Sequence, residues 1–221
     1  DGLVVLNVAS TGQPVSFDPA DANLVVNEYT EYDCYDTLLD FNQDGTDVVP
    51  ALAESWEQVD DLTYTYKIRE GVKFSDGSDL TMDDVLYSLN RVREDAYGMS
   101  YLFEHVDSFE VDEKTRTLTV HLNQPDSTWK YVPATTPCQI LKKSVVETEG
   151  DAYGTNEGSV VGTGPYKFVS WAADSQIVLE KNEYWWGGAD NLAIDKINFY
   201  VMKDASTIAL AVKSGTIDFA P

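Results

Sequence analysis

The sequence predicts a mixed α/β fold, α+β in character, built from hairpins with helices set between them. Three observations carry this. Leu62, Tyr64, Tyr66 and Ile68 alternate with Thr63, Thr65, Lys67 and Arg69, the period-two pattern of a half-buried strand. A helix starting at Thr81 has a capping pattern and an apolar stripe of Val85, Leu86, Leu89 and Val92. Two further stretches, 109–122 and 166–179, each read as paired strands around a polar turn, so strands and helices are interspersed rather than segregated.

In chain order, Val4 to Val8 reads as an opening strand, followed by a loop that begins at Phe17-Asp18-Pro19. Asn27 is a candidate N-cap for a helix with Tyr32, Tyr35, Leu38 and Leu39 on one side. Asp44-Gly45 and Asp76-Gly77 are turn signals. Thr81 with Asp84 three residues on forms a capping box, and Asp83 and Asp84 suit the positive end of the helix dipole. Val85, Leu86, Leu89 and Val92 supply that helix's apolar stripe. Phe109, Val111, Leu118, Val120 and Leu122 predict a hairpin joined by the charged stretch Asp112 to Arg116. A second hairpin runs from Tyr166 and Phe168 to Ile177 and Leu179, turning near Asp174-Ser175. Ile197, Phe199 and Val201 make one more alternating strand. A short helix, Ala205 to Lys213, is closed by Gly215, and Ile217 and Phe219 begin a last strand.

The 221 residues, 43% hydrophobic with 8 Phe, 5 Trp and 13 Tyr, suffice for a substantial core. A net charge of −23 disfavours nucleic acid, which needs clustered Lys and Arg, and disfavours anionic membrane surfaces for the same reason of sign. No apolar run approaches the ~20 residues of a membrane span. The chain opens at Asp1 without Met or a leader pattern, which suggests a mature form or an excised segment. Cys34 and Cys138 are too few for a metal site with His105 and His121, and whether they form a disulfide or two buried thiols stays open.

Candidate chemistry is sparse. Asp40-Phe41-Asn42-Gln43-Asp44-Gly45 matches the start of a calcium loop, but the twelfth position, which needs a bidentate acid, is Ala51; a polar hairpin turn is the better reading. Gly162-Thr163-Gly164-Pro165-Tyr166-Lys167 lacks the spacing of a phosphate loop and places Lys167 in a strand. There is no Gly-x-Ser-x-Gly elbow, His121 falls on a strand, and none of the possible carboxylate pairs among 38 acids is singled out. Nothing positive marks the chain as an enzyme, and no cofactor is expected. Trp185 and Trp186 are expected in core packing.

Taken in order, Pro50-Ala51-Leu52-Ala53-Glu54-Ser55-Trp56, Phe74-Ser75-Asp76-Gly77, Leu80 to Arg91, Gly162-Thr163-Gly164-Pro165-Tyr166, Asn182-Glu183-Tyr184-Trp185-Trp186-Gly187-Gly188 and Lys213-Ser214-Gly215-Thr216-Ile217-Asp218 resemble the extracellular solute-binding proteins of peptide-type ABC importers, family 5. The resemblance covers nearly the whole chain. It implies a periplasmic-binding-protein type II-like first lobe, with the second lobe and a C-terminal return segment absent from this stretch. Residues 1–26 and 160–221 would form a core subdomain and 27–159 an inserted one. The Gly162–Tyr166 turn is implied to be a structural corner beside the cleft.

The same resemblance implies a function: capture of a peptide or similar small solute between two lobes by hinge closure, and delivery to the transmembrane permease. It implies an extracytoplasmic location, with a lipid anchor outside this chain. An extended segment after Asp18-Pro19 is implied to pair with ligand backbone at Asn23, Leu24 and Val25. Tyr101, Thr135 and Thr136 are implied as further contacts. Ligands across this family include peptides, nickel chelates, haem and oligosaccharides. The alternatives are a receptor or sensor module of the same fold and, more distantly, a carboxylate-dependent hydrolase.

Overall fold

The computed structural model describes residues 2–20, 25–94 and 99–220, with the side chains of residues 25–29 left aside. Two four-stranded sheets carry two hydrophobic cores. The first sheet contains β1 (Val5–Ser10), β8 (Tyr166–Ala172), β9 (Gln176–Lys181) and β10 (Lys196–Val201), in the order β1-β10-β9-β8. β8, β9 and β10 form an antiparallel meander, and β1 joins it parallel to β10, with Val8 opposite Phe199. A parallel pair cannot be closed by a tight turn. Nearly the whole chain therefore lies between these two neighbours.

The second sheet is antiparallel, in the order β4 (Ala53–Asp60), β5 (Thr63–Ile68), β7 (Thr117–Leu122), β6 (Val106–Asp112). Its inner face follows the expected alternation: Tyr64, Tyr66, Ile68, Leu118, Val120 and Leu122 are buried while the threonines between them are half-exposed. Helix α2 (Met82–Glu94) belongs to the same core, burying Met82, Val85, Leu89 and Val92. Its start is the expected capping box. Thr81 Oγ1 accepts from the Asp84 N–H at 3.1 Å, and Asp84 Oδ2 accepts from the Thr81 N–H at 3.0 Å. Asp84 Oδ1 also accepts from the Lys143 N–H at 3.0 Å, and the Ser88 hydroxyl accepts from the Leu141 N–H at 2.8 Å. The head of α2 thereby fixes the entry to α3 (Lys143–Glu149).

The small hairpin of β2 (Leu39–Phe41) and β3 (Val48–Pro50) encloses the stretch that resembles a calcium loop. Asn42 Oδ1 accepts from the Thr46 N–H at 2.9 Å, and Gly45 takes φ +65°, so this oxygen holds a turn. Among the described residues no group of three or more His, Cys, Asp or Glu could hold a metal ion, and no helix is long and apolar enough to cross a membrane.

The first helix differs from expectation. α1 spans Val25–Cys34, so Asn27 lies inside it, and Tyr35, Leu38 and Leu39 lie beyond its end. The helix stops because its last carbonyl is taken elsewhere: Cys34 O accepts from the Gly164 N–H at 3.0 Å. Leu39 then enters β2. The chain's last described stretch makes one bridge, Phe219 with Val8, parallel to β1. α4 (Ala205–Ser214) is capped by Asp204, whose Oδ1 accepts from the Thr207 N–H at 2.8 Å, and closed by Gly215 at φ +75°. The two cysteines are free and buried, Cys34 in the first core and Cys138 in the second. Burial pushes the Cys138 thiol up to about 12 and the Cys34 thiol well above its ordinary value.

Candidate ligand-binding surface

The glycine-rich turn at 162–164 is the corner on which the candidate surface rests. A Cβ on Gly162 would lie 2.1 Å from Cys34 O, and one on Gly164 would lie 2.5 Å from the Cys34 carbonyl carbon. Only glycine lets the turn press against the end of α1. Between them Thr163 is fully buried and its hydroxyl donates to Asp36 Oδ2 at 2.9 Å. The Trp186 indole N–H donates to the same oxygen at 2.8 Å, and the Arg69 guanidinium lies 4.6 Å above the Trp186 ring. Asp36 thus ties the end of α1 to the corner and to the 182–188 loop.

Electrostatics at this end of α1 are unusual. Burial raises Asp36 to about 6, against the pull of its hydrogen bonds from Trp186 and Thr163, and Asp40 adds to the rise. Burial alone raises Asp33 to about 7. No basic residue occupies the last turn of α1 to offset them. The expected core role of the tryptophans holds in part. Trp186 is half-buried against the second core, whereas Trp185 is half-buried against Gly187 with its ring 6.0 Å from Trp186.

The expected ligand contacts divide. Asn23 and Leu24 lie outside the described residues. Val25 is the first residue of α1, so its backbone is helical there and not the extended strand that the resemblance implied. Thr135 sits between two one-turn 3-10 helices, Val132–Ala134 and Thr136–Cys138, each carrying a proline in its first turn. Its hydroxyl donates to Val132 O at 2.7 Å. Thr136 is only 6% exposed, and its hydroxyl donates to the Tyr32 hydroxyl at 3.0 Å. Tyr32, on α1, is 46% exposed. Periodicity had assigned Tyr32 to a buried face, and no signal in the sequence distinguishes it from an interior tyrosine.

Tyr101 is 61% exposed on the 3-10 turn Ser100–Phe103. Among the described residues no hydrogen bond joins it to either threonine. α2 packs on the Tyr101 turn and on the Thr136 turn, and α1 packs on the Thr136 turn as well. Among the described residues, Tyr32 and Tyr101 are thus the two exposed rings on these elements, and the hydroxyls of Thr135 and Thr136 are already bonded within the protein. The histidines stand apart: His105 lies 3.2 Å from Glu104, and His121 lies 3.6 Å from Glu110 on the outer face of the second sheet.

Residues 47–221 match the family described as bacterial extracellular solute-binding proteins, family 5 (middle). The chain belongs to this family, whose members are binding proteins acting outside the cytoplasm. Dipeptide-binding protein DppE of Bacillus subtilis is 28% identical over 236 residues, covering 99% of this chain and 43% of DppE. Heme-binding protein A of Haemophilus influenzae is 29% identical over 231 residues, covering 93% of this chain and 41% of that protein. Among solved structures, the periplasmic binding protein DppA from Helicobacter pylori, in complex with the peptide STSA, superposes with a TM-score of 0.83 at 29% identity, covering 96% of this chain and 45% of DppA. The chain therefore spans less than half the length of the relatives it matches, and its fold is that of one part of a periplasmic binding protein.

Proposed function

We propose that the protein to which this chain belongs is the substrate-binding component of an ABC importer. It captures a peptide or a similar small solute in a cleft between two lobes and delivers it to a membrane permease. The chain supplies one lobe, with residues 1–26 and 160–221 as its core subdomain and 27–159 as an inserted one. Asn23, Leu24, Val25, Tyr101, Thr135 and Thr136 are the proposed contacts on this side, and a lipid anchor outside the chain is the proposed means of retention at the cell surface. The observation that carries the reading is the superposition of 96% of the chain on a peptide-complexed binding protein at 29% identity.

An isolated lobe supplies half of the contacts and cannot bury its ligand by closure. Calorimetric titration of the full-length protein with di- to pentapeptides is expected to give saturable heat, and the same titration of the 221-residue chain to give none. Submicromolar binding by the chain alone defeats the split-site reading. Because one relative is named for heme, a parallel titration with haem, followed by absorbance, decides the ligand class. Saturation there, with no response to any peptide, overturns the peptide assignment.

A further inference from the structure

Asp18 and Arg91 are 73 positions apart and form a buried, two-pronged ion pair. Arg91 Nη1 donates to Asp18 Oδ1 at 2.7 Å and Nη2 donates to Oδ2 at 2.6 Å, with the two side chains 11% and 7% exposed. Such fork-to-fork pairing fixes direction as well as distance. The Asp18 end is itself rigid. Its Oδ1 also accepts from the Ala20 N–H at 3.1 Å, its N–H donates to Ser16 Oγ at 2.9 Å, and the preceding Phe17 N–H donates to Gly154 O at 2.7 Å. Gly154, at φ +72°, lies so close that a Cβ would sit 2.5 Å from the Asp18 nitrogen.

The Arg91 end lies in the last turn of α2. This helix packs on the turn that carries Tyr101 and on the turn that carries Thr136. In sequence, Ala20, whose N–H the Asp18 carboxylate holds, is five positions before Val25, the first residue of α1, and α1 carries Tyr32, the partner of Thr136. One side chain therefore links the approach to α1 with the helix that supports the other two segments of the candidate surface.

We infer that Arg91 is a positioning residue for ligand binding: through Asp18 it sets where α1 lies relative to the Tyr101 and Thr136 turns, without touching the ligand. This rests on the solute-binding reading above. The pair also spans the proposed boundary between the two subdomains, so its loss is felt as misplacement at the surface more than as loss of either core.

The test compares Arg91→Lys with wild type in the full-length protein, with Arg116→Lys as control. Arg116 donates to the carbonyls of Arg69 and Leu80 at the end of the second sheet, and among the described residues no hydrogen bond joins it to Asp18, Tyr32, Tyr101, Thr135 or Thr136. Lysine at 91 keeps the charge and loses the fork. Amide hydrogen exchange is expected to quicken at Phe17–Ala20 and Thr30–Cys34 in Arg91→Lys while β5 and β7 stay protected. Arg116→Lys should do the reverse. Dissociation constants for dialanine, trialanine and Ser-Thr-Ser-Ala are expected to rise about tenfold in Arg91→Lys and to hold in Arg116→Lys at matched loss of melting temperature. Exchange that rises evenly over the molecule, or an unchanged dissociation constant, overturns the inference. If the wild type binds none of the three peptides, the peptide reading fails, and the exchange pattern alone decides the role of Arg91.

Discussion

Gly164→Ala isolates what the corner contributes. The residue is not in a left-handed conformation, so alanine meets no backbone strain of its own. The added Cβ would lie 2.5 Å from the carbonyl carbon of Cys34, 2.7 Å from Asp33 O and 2.7 Å from Tyr35 N. All three are main-chain atoms, and Cys34 and Tyr35 are almost wholly buried, so the conflict cannot be relieved by rotating a side chain. Ordinary contact requires the corner and the end of α1 to separate by about 1 Å. That strains the hydrogen bond from the Gly164 N–H to Cys34 O at 3.0 Å and the one from Asn182 Nδ2 to Gly164 O at 2.8 Å. Overpacking of this kind costs about 1–3 kcal/mol, and a weakened buried hydrogen bond adds about 1 kcal/mol. The smaller entropy of the unfolded alanine chain returns about 0.4–1 kcal/mol. The expected net loss is about 1–3.5 kcal/mol, read as a lower urea midpoint at constant slope. Gly12→Ala is the matched control, because nothing lies within 4 Å of its added Cβ and its φ is unremarkable; it should be neutral or slightly stabilising. Equal midpoints for the two variants would refute the close approach of the corner to α1.

Two further changes probe the cap and the buried acids. Thr81→Ala is expected to cost about 1 kcal/mol through loss of the side-chain acceptor for the Asp84 N–H, and an unchanged denaturation midpoint would count against the cap. Asp36→Asn keeps an oxygen for the Trp186 and Thr163 donors but cannot ionise. Because the folded protein raises Asp36 from 3.8 to about 6, the folded state binds more protons than the unfolded state between these values. Its contribution is full below about 3.8 and is lost as pH rises through about 6, an effect of at most about 3 kcal/mol. The variant should therefore gain stability relative to wild type between pH 4.5 and 7.5, leaving a shallower slope from Asp33. A wild-type-to-variant difference that is the same at both pH values would show that Asp36 ionises freely in the folded protein.

Local chemistry was legible in the sequence wherever one residue's neighbours in the chain decided the outcome. The Thr81–Asp84 cap, the strand at 63–68, the hairpin around Asp112 to Arg116, and the Gly215 stop all depend on short-range periodicity or on side chains bonding nearby backbone. The order of the family motifs was likewise enough to indicate the class of protein. β4 was not legible. It is an exposed edge strand in which Glu54, Ser55, Glu57 and Gln58 follow no apolar alternation, so it exists through pairing with β5 and not through a pattern of its own. The end of α1 was misplaced for a related reason: Tyr35, Leu38 and Leu39 are buried at helix-like intervals, but Gly164, 130 positions from Cys34, captures the carbonyl that would have continued the helix. The candidate surface divides in the same way. Sequence resemblance named Tyr101, Thr135 and Thr136, whereas the hydroxyl contact of Thr136 with Tyr32 and the clamp of Arg91 on Asp18 join residues 104 and 73 positions apart. Such contacts are set by how the sheets and helices pack on one another, because a hydrogen bond between distant residues leaves no period in the chain to read.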